Sequence, residues 1–163
     1  MADRIIRKAS RFIFGLTSLF ILSGSAAAGD LAKLRSLKVS VGTISPEARS
    51  LGVAEDDLEA HVVVFLRSKI PGLQVSTSAP EYIVVNVALD YIEQSGRKMG
   101  YAGAITVLVY RLATVVDTKK VSLVGVWADG TTLAGGRDAT IRVREMLDRL
   151  LTRFAADWYK DNP

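Results

Sequence analysis

Tyr82 to Glu93 alternates with a period of two: Ile83, Val85, Val87, Leu89 and Tyr91 are large and apolar, while Asn86 and Asp90 fall between them. Successive side chains of an extended chain point to opposite faces, so this stretch is a strand with one buried face. Leu37, Val39 and Val41 against Lys38 and Ser40 give a second, shorter strand of the same kind. Ala104 to Val116 is rich in β-branched residues but apolar on both sides. Ile105, Val107 and Val109 line one face and Leu108, Tyr110 and Leu112 the other, so this strand is central or has its outer face covered. Val121 to Ala128 follows the turn Asp117–Lys120 as another strand and ends at Asp129-Gly130, and Leu73 to Ser76 is a short candidate. The polar, glycine-bounded run Gln94–Gly100 reads as the turn joining Tyr82–Glu93 to Ala104–Val116 in a hairpin.

Two stretches change period. Leu58, Val62, Phe65, Leu66 and Ile70 recur at i, i+4, i+7, i+8 and i+12, a stripe on one side of a helix that opens at Glu55 and stops at Pro71-Gly72. Val143, Leu147, Leu150, Leu151, Phe154 and Trp158 form the stripe of a last helix, with Asp138 placed as its N-cap. Gly130 to Arg137 reads as a glycine-bearing loop before it. Ser45-Pro46-Glu47, closing at Gly52, has the cap, proline and acid of a short helical turn. The order β-α-β-β-β-β-α predicts an α+β two-layer sandwich: a mainly antiparallel sheet of four to five strands with two helices on one face.

The first 28 residues follow a different plan. Arg4, Arg7, Lys8 and Arg11 precede the mostly apolar Phe12–Leu22, and Ser23 to Ala28 are small, with Ala26 and Ala28 in an A-x-A arrangement. This is the layout of a secretory signal peptide, so residues 1–28 are expected to be removed and residues 29–163 to form one exported, periplasmic or secreted domain. The competing reading, an uncleaved anchor, has an apolar core of 11 residues, against roughly 20 for a membrane-spanning helix. No later stretch approaches a span.

Charge and composition narrow the function. The formal charge of the 163 residues is +4, yet residues 29–163 hold 17 basic and 16 acidic side chains, which argues against a nucleic-acid partner. The chain has no cysteine, so it offers neither a disulfide nor the acylated cysteine of a lipoprotein.

Candidate chemistry is sparse, and no catalytic residue, metal ligand or cofactor is assigned. His61 is the sole histidine and flanks a helix stripe, where a structural role is the simpler reading. Glu55, Asp56, Asp57 and Glu59 lack the alternating ligands of a calcium loop, and first-turn acids favour the positive end of a helix dipole. Gly135-Gly136-Arg137 could cradle an anion before the last helix, although it spells out no phosphate-binding motif. A hydrolase using dispersed carboxylates, for example Asp90 and Asp129, on a periplasmic substrate such as a glycan is one alternative, and a small hydrophobic ligand held between sheet and helices is another.

Two surfaces are candidates for partner binding. Arg142, Arg149, Arg153 and Lys160 fall on one line of the last helix, opposite its apolar stripe, where an acidic partner or, weakly, anionic lipid could meet them. Tyr82, Val84, Ala88, Leu108 and Tyr110 fall on the second face of the sheet. They form an exposed apolar site there unless Leu31–Leu37 covers them.

The stretches Leu51-Gly52 through Phe65-Leu66-Arg67-Ser68-Lys69-Ile70-Pro71, Glu81-Tyr82-Ile83-Val84-Val85-Asn86-Val87 and Phe154 to Pro163 resemble those of a family of small uncharacterised exported bacterial proteins. More distantly, the element order is similar to envelope accessory α+β domains. These are the lipopolysaccharide-assembly lipoprotein partner, the auxiliary lipoproteins of lipid transport and the amino-terminal domain of the Tol-system propeller protein. The resemblance implies a non-catalytic binding or envelope-assembly module whose partner is an envelope protein or a second copy, and it assigns no functional residue.

Overall fold

The computed structural model describes residues 31–114, 116 and 119–163. The expected signal peptide, its cleavage site and the centre of the Asp117–Lys120 turn lie outside the described residues. The chain forms β1 (Ser36–Ile44), α1 (Pro46–Ser50), α2 (Glu55–Lys69), β2 (Gln74–Val75), β3 (Tyr82–Gln94), β4 (Arg97–Thr114), β5 (Val121–Gly135) and α3 (Ala139–Asp161). The strands make one five-stranded sheet in the order β2-β1-β3-β4-β5, and the architecture is the α+β sandwich that the sequence predicts.

The sheet is mixed. β1 runs parallel to both β2 and β3, whereas β3-β4 and β4-β5 are antiparallel and carry most of the paired residues. A crossover through α2 returns the chain in the direction of β1, which forces parallel pairing there. The long strands that follow are joined by short connections and pair antiparallel.

Two strands are longer than their apolar patterns suggest. β4 begins at Arg97 rather than Ala104, because the hairpin turn is only Ser95-Gly96, with φ of 52° and 75°. Positive φ at both central residues is the geometry of a two-residue hairpin turn, and glycine tolerates it. The residues after it continue the ladder, Lys98 opposite Glu93 and Gly100 opposite Ile92, and Lys98 Nζ lies 3.5 Å from the centre of the Tyr91 ring. β5 continues through the expected loop to Gly135, opposite Tyr101. Its lack of a side chain at Gly135 leaves room for the Tyr101 hydroxyl, which a Cβ would meet at 2.5 Å.

One face of the sheet and the two long helices enclose the core. Val39, Ile83, Val85, Val87, Leu89, Ile105, Val107 and Val109 point inward, and Leu58, Val62, Leu66 and Ile70 from the α2 segment and the whole predicted α3 stripe meet them. Phe65 is only partly buried, at the margin of its stripe. Each fully buried leucine or phenylalanine contributes about 1.5–3 kcal/mol relative to exposure. Trp127 on β5 meets Phe154 on α3 edge to face, with ring centroids 5.3 Å apart. Ser45 caps α1 by accepting a hydrogen bond from the Ala48 amide, as its sequence signature predicts, whereas Asp138 stands at the N-cap of α3 without a side-chain cap bond.

Residues 31–34 belong to the helix side of the molecule. Trp158 Nε1 donates to the Leu34 carbonyl at 2.9 Å and Asn162 Nδ2 donates to the Leu31 carbonyl at 2.9 Å, and both leucines are buried. Among the described residues, no helix is long and apolar enough to cross a membrane.

Candidate binding surface

The alternation that buries the odd residues of β3 turns its even residues to the other face. There Tyr82 stands opposite Tyr110 and Val84 opposite Leu108, two cross-strand pairs side by side. On the neighbouring strand, Lys38 pairs with Tyr82 and its Nζ lies 5.7 Å from the centre of that ring. The four side chains are each partly buried. Leu31 and Leu34, the residues that could have covered them, are held against α3 instead. The face is therefore open.

It is also divided. Asn86 donates to Thr106 Oγ1 at 3.3 Å and accepts from the Thr43 amide at 2.8 Å, a polar strip across three strands. Beyond it lie the small residues Ala88, Ala102 and Ala104. On the near side, the apolar row of Tyr82, Val84, Leu108 and Tyr110 runs on to Leu112 and Leu123, which pair with each other and are 50% and 52% exposed. The parity of Leu112 with Leu108 and Tyr110 places it in this row. Leu123 is hidden from such counting by a register shift between Val109 and Tyr110.

Arg142, Arg149 and Arg153 occupy α3, on the opposite side of the sheet, so the two candidate surfaces do not combine. Arg142 pairs with Glu145 at 3.2 Å, and Arg153 is engaged by Asp129 of β5. Arg149 is exposed. The expected basic line is thus partly neutralised by carboxylates of the same chain.

The remaining candidates resolve into structural contacts. His61 Nε2 lies 2.7 Å from Asp148 Oδ1 and joins α2 to α3. Asp57 in the first turn of α2 pairs with Arg144 at 3.5 Å. Asp90 bonds the adjacent Tyr91 amide on the outer face, whereas Asp129 pairs with Arg153 on the helix side. These two carboxylates therefore cannot converge on one substrate. Two surface hollows have volumes of about 10 and 80 Å³, the first lined by Gly52, Leu58 and Val143 and the second by Val39, Val63 and Val75. Small-molecule pockets are roughly 300 Å³ or more.

Tyr101 is the one fully buried polar side chain among the described residues whose hydroxyl lacks a partner. Burial pushes its phenol above the ordinary value, with Arg142 pulling the other way and Asp138 and Glu145 adding to the rise. Gly135 closes over it. The expected anion cradle is therefore shortened, because Gly135 belongs to the strand and only Gly136-Arg137-Asp138 connect to α3.

No protein-family model matches the chain, and no curated protein sequence matches it significantly. Among solved structures the chain is similar to a dodecameric PelC variant from Paraburkholderia phytofirmans, at 16% identity over 78% of this chain and 89% of that one, with a TM-score of 0.41. It is also similar to a minor lipoprotein from Acinetobacter baumannii, at 13% identity over 77% of this chain and 90% of that one, with a TM-score of 0.41. A third is a hypothetical protein from Chlamydia trachomatis, at 10% identity over 76% and 96% of the two chains, with a TM-score of 0.45.

Proposed function

We propose that this chain is an exported, non-catalytic binding module of the bacterial cell envelope, which offers the open face of its sheet to a partner protein in envelope assembly. The observation that carries the reading is the apolar row of Tyr82, Val84, Leu108 and Tyr110, left uncovered by α2, α3 and residues 31–34. Large apolar patches on a folded domain mark interaction sites more often than they mark nothing. The signal-peptide pattern of residues 1–28 supports an envelope location, and the near-neutral balance of residues 29–163 favours a protein over a polyanion. Asp90 and Asp129, the example pair for a hydrolase, lie on opposite faces of the sheet.

In-cell cross-linking with mass spectrometry tests this. The expected result is a discrete complex of defined composition, lost on Tyr110→Asp and retained on Arg149→Glu. Retention on the first and loss on the second would move the contact to α3 and refute the sheet-face reading.

A further inference from the structure

The end of the β4–β5 hairpin carries the apolar row past the edge of the open sheet face. β3 starts at Tyr82, opposite Tyr110, so the pairs from Arg111–Val124 to Thr114–Val121 extend past it as a ribbon of two strands. On this ribbon and its turn, Leu112, Val116, Val121, Leu123 and Val124 are exposed, Val116 by 75% and Val121 by 63%. Five large aliphatic side chains gathered at one tip contrast with the single exposed apolar residues that are ordinary on any surface. A two-stranded ribbon also gains little stability in water by itself, so packing within this chain does not account for them.

Basic residues outnumber acidic ones around the tip. Lys119 and Lys120 are exposed at the turn. The segment 31–38 carries Lys33, Arg35 and Lys38 without an acidic residue. It lies at the same end of the sheet, because Lys38 pairs with Tyr82 and Arg111 Nη1 donates to the Ala32 carbonyl at 2.9 Å. Of the acids at this end, Glu81 is engaged by Arg111 at 3.0 Å and Asp161 accepts from the Leu31 amide at 3.2 Å; the sequence of the turn adds Asp117. Tyr82 and Tyr110 stand behind the aliphatic tip.

We propose that the end of the β4–β5 hairpin docks on a membrane surface rich in anionic lipid. The aliphatic side chains would enter the boundary of headgroups and acyl chains, the tyrosines would sit at the polar level, and the basic side chains at this end would face lipid phosphates. Charge complementarity selects this occupant, since an apolar groove on a protein would match the tip but not the excess of basic residues around it. The inference goes beyond the proposed function and needs no partner protein, so it is tested separately.

The test is co-sedimentation of residues 29–163, which contain the whole core described above, with two kinds of vesicle. One is phosphatidylglycerol mixed with phosphatidylethanolamine, and the other is phosphatidylcholine alone. Binding to the anionic vesicles is expected, weaker by at least about tenfold on phosphatidylcholine, since each basic residue near an anionic surface contributes roughly fivefold in affinity. Val121→Asp with Leu123→Asp, and Lys119→Glu with Lys120→Glu, should each weaken it about tenfold or more. Met99→Asp, at the exposed opposite hairpin, should leave it unchanged. The chain has no cysteine, so a polarity-sensitive dye on Val116→Cys gives a second readout that should shift to the blue with anionic vesicles, while the same dye on Ser95→Cys should not. Equal binding to both vesicles, no binding to the anionic ones, or a blue shift at position 95 alone would overturn the proposal.

Discussion

Tyr82 and Tyr110 face each other across β3 and β4 on the side of the sheet that carries no helix. Such a pair stabilises a sheet by about 0.2–1 kcal/mol relative to alanines. The account therefore separates stability from binding at this point. Tyr110→Asp should lower stability by about 1 kcal/mol or less in a denaturant titration, while abolishing the complex captured at the open face. A loss of several kcal/mol would mean that the face is packed against something within the chain.

The Tyr101 hydroxyl beneath Gly135 gives a second prediction, about energetics alone. A buried donor without an acceptor costs about 1–3 kcal/mol, so Tyr101→Phe should leave the fold intact and raise stability by about 1 kcal/mol. Gly135→Ala should destabilise by roughly 1–3 kcal/mol through overpacking, and the double variant should recover part of that loss. Additive effects in this cycle would show that the two sites do not touch.

The same tyrosine fixes a pH dependence. Burial raises its folded pKa, so below about pH 10 both folded and unfolded chains hold the proton and stability is unaffected. Above that pH the unfolded chain releases the proton first, and stability falls as pH rises towards the folded pKa. Denaturant midpoints measured between pH 8 and 11 should show the decline in the parent chain and a shallower one in Tyr101→Phe.

Trp158 anchors the start of the described chain. Its indole donates to Leu34, and it is buried. Trp158→Phe should cost about 1–3 kcal/mol, the range for a buried group left without its partner, and should speed amide exchange at Leu34, which bonds the Leu31 carbonyl. Unchanged exchange there would show that residues 31–34 are held by other contacts.

Much of the inside of this molecule could be read from the chain, because burial imposes a period. The α3 stripe from Val143 to Trp158 and the inward row Ile83 to Leu89 follow from spacing alone. Strand ends could not be read that way. Arg97–Gly103 and Gly130–Gly135 join the ladder through backbone hydrogen bonds, for which side-chain polarity is no guide. The parallel direction of β1 depends on the α2 crossover rather than on any local pattern. At the surface, parity brought out Tyr82, Val84, Leu108 and Tyr110, but the pairing of Leu112 with Leu123 depends on a bulge. The partial neutralisation of Arg142 and Arg153 depends on where Glu145 and Asp129 come to lie.

The central claim is that the open face of the sheet is where a partner sits, and the most direct measurement is site-specific photo-cross-linking in cells. A photoreactive side chain placed at Leu108 is compared with one at Arg149. The account predicts a discrete cross-linked product from position 108, abolished by Tyr110→Asp, and none from position 149. Products from position 149 alone would contradict it and assign the function to the helix layer.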